Sequence, residues 1–316
     1  MKLASRHLLE LEGMTREELT LILDTAKSFR EVLDRPIKKV PPLQGKTIVN
    51  LFFETSTRTR ISFELAERRL SADVVSFSQA GSSVSKGETL KDTARNIEAM
   101  KIDMVVIRHA SAGAPHFLCR VVDANVINAG DGAHEHPTQG LLDMLTLRER
   151  HGTLEGLRVC IVGDILHSRV ARSNIHGLKT MGAKVSVCGP APLIPREIEK
   201  MGVDVYHRLE DVIPQVDALN VLRIQLERQK SGLFPSLREY HRYFGVTREK
   251  TEKAERPLTI MHPGPINRDV ELSADLADSE HSVILEQVTN GVAVRMAILY
   301  LLGTAGSGVP APEKGI

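Results

Sequence analysis

The sequence carries no excess charge of either sign: 41 Lys and Arg stand against 40 Asp and Glu. A nucleic-acid-binding surface or a membrane-binding patch leaves a basic surplus in such totals, so neither partner is expected and any basic residues that matter must be locally clustered. Cysteine is scarce. Cys119, Cys160 and Cys188 are widely spaced in apolar, strand-like surroundings, a pattern of core filling in a reducing compartment rather than of a disulfide framework or a cysteine-based zinc site. No run of eighteen or more apolar residues occurs and the N-terminus has no signal-peptide apolar segment, so neither a membrane span nor export is expected and the protein reads as cytoplasmic. Two nucleotide signatures are missing as well. G-x-x-x-x-G-K-[ST] is nowhere in the chain, and LRVCIVGD at Leu157 to Asp164 is not followed by G-x-G-x-x-G, which argues against ATP and against a dinucleotide cofactor.

What is present is an alternation of apolar runs and helical patterns over 316 residues, 42% of them hydrophobic, enough for two domains of ordinary size. Thr15 to Leu33 reads as an amphipathic helix opened by a capping box, Thr15 with Glu18, and carrying Leu19, Ile22, Leu23, Ala26 and Phe29 on one face. After a linker from Pro36 to Gly45, Thr47–Phe53, Asp73–Phe77, Met104–Ile107 and Val126–Ala129 read as strands of a parallel α/β sheet. The polar stretch His151 to Gly156 marks a domain boundary. Beyond it strands are expected at Leu157–Asp164, Lys184–Cys188, Val203–Tyr206, Leu219–Leu222 and Leu258–Met261, with a helix from Arg169 to Met181, in the manner of a Rossmann-type doubly wound sheet. Ser231 to Phe244 reads as a long loop, Thr289 to Leu302 as an apolar helix, and residues 304–316 as a flexible tail. The fold class is therefore α/β, with residues 1–150 and 151–288 as two domains of similar size.

The chemistry concentrates in Phe52 to Glu64, where an apolar strand runs into Ser-Thr-Arg-Thr-Arg and the helical pattern Ile61, Phe63, Leu65, Ala66 follows. The first turn of a helix has N–H groups without intrahelical partners and partial positive charge. Adding the hydroxyls of Ser56, Thr57 and Thr59 and the guanidinium groups of Arg58 and Arg60 makes a cradle for a phosphate-like dianion. The plain alternative is a Ser/Thr cap with solvated arginines. His136 and Gln139 flank the start of another helix, at Pro137, where the positive local field disfavours a protonated imidazole and suits one that donates to a substrate oxygen. His134 and His136 have His-x-His spacing, but no Cys, Asp or third His at ligand spacing completes a set, so no metal is expected. Arg169, after the first strand of the second sheet, points at an anionic group. Arg223 and Gln225, two apart in an extended segment, share a face. MHPGPINR at Met261 to Arg268 can present backbone carbonyls to a ligand, and Gly81 to Leu90, which contains Ser82 and Lys86, reads as a mobile surface loop.

Taken in order, STRTR at Ser56 to Arg60, KGET at Lys86 to Thr89, Arg108-His109, HPTQ at His136 to Gln139, Gly163-Asp164 and HPGP at His262 to Pro265 resemble the aspartate and ornithine carbamoyltransferase family over nearly the whole chain. The His-Cys-Leu-Pro and Ser-Met-Gly segments of the ornithine branch are replaced by His262-Pro263-Gly264-Pro265 and Arg223-Ile224-Gln225. Two arginines suit an acceptor with two carboxylates and would repel a cationic one. The resemblance implies carbamoyl phosphate in a cleft between the domains, its phosphate on Ser56, Thr57, Arg58 and Thr59. Arg108, His136 and Thr59 would hold the carbonyl oxygen, and Gln139 with Gly264 and Pro265 the carbamoyl amino group. Aspartate would lie on Arg169, Arg223 and Gln225, with Ser82 and Lys86 arriving from a neighbouring subunit of a homotrimer. It implies no cofactor, places the reaction in pyrimidine biosynthesis, and packs the helix 289–303 back on the first domain. A transferase for ornithine or another amine, a non-catalytic scaffold, and association with a regulatory chain or a dihydroorotase stay open on the sequence.

Overall fold

The structure is a computed structural model and describes residues 2–78, 88–224 and 236–305. Ser82, Lys86, Gln225 and the expected tail from residue 306 on lie outside the described residues. The chain divides into two compact units, Met1–Leu145 with Thr289–Ile316, and Thr146–Val288. Nine strands, β1 (Thr47–Phe52), β2 (Asp73–Ser78), β3 (Met104–His109), β4 (Asn125–Asp131), β5 (Arg158–Val162), β6 (Lys184–Cys188), β7 (Asp204–Tyr206), β8 (Ala218–Val221) and β9 (Thr259–Met261), are described. The α-helices among the described residues are α1 (Arg16–Leu33), α2 (Thr57–Arg69), α3 (Leu90–Glu98), α4 (Ala114–Leu118), α5 (Pro137–His151), α6 (Arg169–Thr180), α7 (Leu209–Val212), α8 (Leu237–Phe244), α9 (Arg248–Thr251), α10 (Ala274–Ala277) and α11 (Ile284–Gly303).

In the first unit the strands form a parallel sheet in the order β2-β1-β3-β4. The order reverses between β1 and β3, and in open α/β sheets ligands bind beyond the carboxyl ends of the strands at such a switch point. α2 and Arg108 leave the sheet there. Between β3 and β4 the register shifts from Ile107 to His109, so the bulge falls on Arg108 and re-aims its side chain at the strand end. Apolar side chains of β1, β3 and β4, Val49, Leu51, Val105, Ile107 and Val126, make the core with Leu118 of α4. The second sheet is parallel in the order β7-β6-β5-β8-β9, the doubly wound order with its reversal between β5 and β8. Its core gathers Cys160, Val162, Cys188, Leu219, Val221 and Ile260.

Thr15 caps α1 through the reciprocal pair with Glu18. Four local readings need correction. Cys119 ends the short helix α4 rather than sitting in a strand, whereas Cys160 and Cys188 are buried in β5 and β6. Burial pushes the Cys160 thiol up to about 12 and the Cys188 thiol above its ordinary range, so both act as packing groups. Residues 237–244 are a helix, because the Ser236 hydroxyl accepts from Glu239 N–H and starts α8. Likewise Thr89 caps α3, which begins at Leu90. The last helix begins at Ile284, earlier than its apolar pattern indicates. α5 and α11 each run from one unit into the other, the division falling after Leu145 and after Val288. Among the described residues no helix is long and apolar enough to cross a membrane.

Candidate active site

The start of α2 is built against ordinary helix preference. Its first turn has no acidic residue and instead carries Arg58 and Arg60, cations at the end where the helix dipole disfavours them. Ser56 takes the cap position with extended backbone, φ −158°, yet its hydroxyl makes no capping hydrogen bond. A capping hydroxyl is ordinarily spent on the helix's own N–H groups; that of Ser56 is not. Thr57 and Arg58 are exposed, Ser56 and Thr59 half-buried. Beside them, Arg108 Nη1 donates to Thr59 Oγ1 at 3.5 Å and to the Ala129 carbonyl at 3.3 Å. Arg108 Nε stands 3.3 Å from Glu54 Oε2. The neighbouring strand ends therefore deliver the Ser56–Thr59 turn and Arg108 to one place.

The turn between β4 and α5 brings His136 and Gln139 to the same unit, both buried. Gly132, φ +48°, permits that turn, since a Cβ there would lie 2.8 Å from Ala112 N and 2.9 Å from the Ala110 carbonyl oxygen. The His136 carbonyl accepts from Gln139 N–H, which opens α5. Gln139 Nε2 donates to Asp143 Oδ1 at 2.9 Å. His109 is half-buried, its Nδ1 accepts from Ser111 N–H, and burial holds its pKa below the usual value against the charges of Glu54 and Asp131.

Sequence reasoning missed what supports these groups. Arg295 of α11 is buried, donates from Nη1 to Ser62 Oγ at 3.1 Å and to the Gly291 carbonyl at 2.8 Å, and lies 5.0 Å over the Phe63 ring. Burial lowers its pKa to about 10, opposed by the charge of Asp143, so it stays cationic at neutral pH. One arginine thus couples α2, which bears the hydroxyl turn, to the Asp143 that orients Gln139. Glu67 is buried under α2 and accepts from Asn50 Nδ2 at 2.8 Å, and burial raises its carboxyl to about 8. Of the apolar residues in the α2 pattern, Ile61 and Leu65 are exposed; Phe63, Ala66 and Glu67 form the buried face. An arginine inside an apolar helix was the one visible signal, because a buried cation requires partners.

In the second unit, Gly163 (φ +124°) and Asp164 follow β5. A Cβ at Gly163 would sit 3.2 Å from both the Leu222 carbonyl oxygen and the Tyr240 hydroxyl, so the segments after β5 and β8 run in close contact. Asp164 accepts from His167 N–H at 3.2 Å and stands 2.9 Å from His167 Nδ1. Ser168 caps α6 by accepting from Ala171 N–H, which places buried Arg169 at the first helical position. Arg223 follows β8, half-buried. Both arginines leave neighbouring strands at the switch point. After β9, His262 Nδ1 accepts from Gly264 N–H at 2.7 Å, so the other ring nitrogen carries the proton and donates to Glu271 at 3.2 Å. Asn267 N–H and Nδ2 donate to the same carboxylate. This buried network fixes the turn holding the cis Gly264–Pro265 bond.

Residues 6–149 match the model of the aspartate/ornithine carbamoyltransferase carbamoyl-P binding domain, and residues 155–302 that of the Asp/Orn binding domain. A protein of Gemmatimonas aurantiaca called aspartate carbamoyltransferase catalytic subunit is 64% identical over 312 residues, 98% of each chain. Aspartate transcarbamoylase of Trypanosoma cruzi, solved with carbamoyl aspartate and phosphate, superposes with a TM-score of 0.84 at 30% identity, over 95% of this chain and 98% of that one. Ornithine carbamoyltransferase of Pyrococcus furiosus also gives 0.84, at 28% identity over 98% and 100%. The backbone is common to both acceptor classes, so the choice between them rests on side chains.

Proposed function

The chain belongs to the aspartate/ornithine carbamoyltransferase family, and on that premise we propose how its residues perform the chemistry. It transfers the carbamoyl group of carbamoyl phosphate to the α-amino group of L-aspartate, giving N-carbamoyl-L-aspartate and phosphate, a step of pyrimidine biosynthesis. The observation that carries the residue assignment is the acid-free, doubly cationic start of α2 meeting Arg108 at the β1/β3 switch point.

Phosphate rests on Ser56, Thr57, Arg58 and Thr59, where helix N–H groups, hydroxyls and a guanidinium all favour a dianion. Arg108, His136 and Thr59 donate to the carbonyl oxygen. The Gln139 amide commits its NH2 to Asp143 and so turns Oε1 toward the carbamoyl NH2, assisted by carbonyl groups near Gly264 and Pro265. Arg169 and Arg223, with Gln225, take the two carboxylates of aspartate. The uncharged α-amine attacks the carbonyl carbon, negative charge grows on the carbonyl oxygen and is met by Arg108 and His136, and the tetrahedral intermediate collapses by breaking the bond to the phosphate oxygen, the departing phosphate taking the surplus amine proton as it leaves onto the α2 cradle. Orientation and preorganised charge carry the rate.

The assembly is read as a cytoplasmic homotrimer in which Ser82 and Lys86 reach the neighbouring chain's site. In support, α2 and its neighbour β2 expose Ile61, Leu65 and Val75, apolar side chains suited to a subunit contact. A regulatory chain or a dihydroorotase would add mass beyond the trimer, which native mass measurement from the source cell's extract reads. Labelled carbamoyl phosphate offered with L-aspartate or L-ornithine tests the reaction itself: carbamoyl aspartate is the expected product, and citrulline in its place would overturn the acceptor assignment.

A further inference from the structure

Three side chains far apart in sequence converge on the surface of the first unit. Glu10 Oε2 lies 3.2 Å from His116 Nε2 and 3.4 Å from His134 Nε2, and the three atoms all lie within 4.8 Å of one another. The expectation that His134 lacks ligand company is thus corrected: its neighbours are Glu10 and His116, not His136. Each is held by separate structure. Glu10 follows Leu8, which bridges to Ile127 of β4, and precedes Leu11 and Glu12, whose N–H groups donate to the buried Glu135 carboxylate. His116 belongs to α4. His134 stands in the turn before α5.

The imidazole of His134 is already oriented. Its Nδ1 is 3.1 Å from both oxygens of Asp131, a fully buried carboxylate that also accepts from Gly113 N–H, Asn128 Nδ2 and Glu135 N–H. A carboxylate only accepts, so Asp131 takes its hydrogen bond from Nδ1–H, and Nε2 is the nitrogen that faces Glu10 and His116. A carboxylate that fixes the tautomer of a histidine from behind is the usual support of a metal-ligating imidazole. The spacing agrees. With bonds of about 2.0–2.1 Å, neighbouring ligand atoms of a tetrahedral zinc centre lie about 3.3 Å apart, close to the two separations on Glu10 Oε2. Two imidazoles and one carboxylate suit a borderline divalent transition metal and leave a fourth position open, whereas Mg2+ and Ca2+ call for oxygen ligands.

We propose that Glu10, His116 and His134 bind a divalent transition-metal ion of the zinc, cobalt or nickel class, with Asp131 fixing the His134 ring. The ion ties the N-terminal segment, α4 and the turn that leads to His136 into one rigid corner. It takes no part in carbamoyl transfer.

The rival arrangement is a plain ion pair, with His134 doubly protonated between Asp131 and Glu10. Untagged full-length protein, stripped with chelator and titrated with Co2+ and then Zn2+, separates the two. Expected are one Co2+ per chain with visible absorption of low-coordinate cobalt, displacement by Zn2+, a melting temperature that rises with Zn2+, and no response to Mg2+. His116→Ala and Glu10→Gln should each weaken binding by at least about tenfold and abolish the Zn2+-dependent rise, while His281→Ala leaves both intact. Absence of stoichiometric cobalt binding, equal binding in the variants, or variants that lose the same stability with and without Zn2+ would each overturn the site in favour of the ion pair.

Discussion

Gln139 and Asp143 stand one turn apart on α5, joined by a 2.9 Å hydrogen bond from the Gln139 amide to the carboxylate, and the same carboxylate faces the buried charge of Arg295. Asp143→Ala should therefore have two separable effects. Loss of a buried partner costs about 1–3 kcal/mol, so kcat/KM for carbamoyl phosphate should fall roughly tenfold to hundredfold, and the melting temperature should drop as Arg295 loses its counter-charge. Asp143→Asn keeps an acceptor for Gln139 without the charge, and should recover most of the activity while retaining the stability loss. Steady-state kinetics and thermal melts on the pair check this; equal activity of the two variants would separate Gln139 from any orienting role of Asp143.

On the proposed assignment Arg58→Ala removes one partner of a charge pair made with substrate, worth about 2–5 kcal/mol, and should lower turnover efficiency by roughly 30-fold to several-thousandfold. Because Arg58 is exposed, circular dichroism should remain that of the parent. The same variant tests the shared site. In a cyclic trimer a mixed assembly of Arg58→Ala and Lys86→Ala chains contains one site with both groups intact, so activity should return after dissociation and reassembly. If Lys86 serves its own chain, mixing restores nothing even though exchange is confirmed by mass.

Arg223→Ala should raise KM for aspartate by the same order, roughly 30-fold or more, and leave carbamoyl phosphate binding within about twofold. Calorimetry of each ligand makes the comparison. Weakened carbamoyl phosphate binding would place Arg223 at the wrong substrate.

Burial raises the Glu67 carboxyl to about 8 from an ordinary 4.5. Between those values the folded chain holds a proton that the unfolded chain has released, so stability declines as pH rises from about 4.5 to about 8 and levels off above. The slope from this group is at most about 1.4 kcal/mol per pH unit. Glu67→Gln removes the ionisation while keeping the shape. Melts from about pH 5 to pH 8 should show the variant gaining on the parent as pH rises; parallel curves would show that Glu67 ionises in the fold without penalty.

Local signals were legible and long-range ones were not. The Thr15 and Glu18 box, the strand runs, and the turn after β1 are written in neighbouring residues, so propensity and spacing read them directly. Ser236 had the same capping chemistry, but the glycine and proline before it masked the helix it starts. Ile61 and Leu65, four apart, and Phe63 and Ala66, three apart, are each at helical spacing on different faces, and spacing alone cannot say which face of α2 meets the sheet. The support of the site was hidden for a different reason. Arg295, Ser62 and Asp143, like Glu10, His116 and His134, are brought together by the fold from separate segments, and no window of sequence contains them.

The uncapped Ser56 hydroxyl and the two arginines of the first turn of α2 set a conflict between durability and use. Selection for melting temperature alone would place an acid near position 58 or 59 and let Ser56 close on its own helix, gaining several tenths of a kcal/mol to about 1 kcal/mol from each change. Each such gain would silence the cradle. On the proposed assignment a phosphate-bearing ligand would do the same work reversibly, supplying the negative charge and the acceptors that the helix start is built without, and a ligand held at a hundred times its Kd adds about 2.7 kcal/mol to the folded state. A screen for thermostable variants run in phosphate-free buffer would therefore tend to select against catalysis at this turn, while one run with a bound phosphonate would leave it alone.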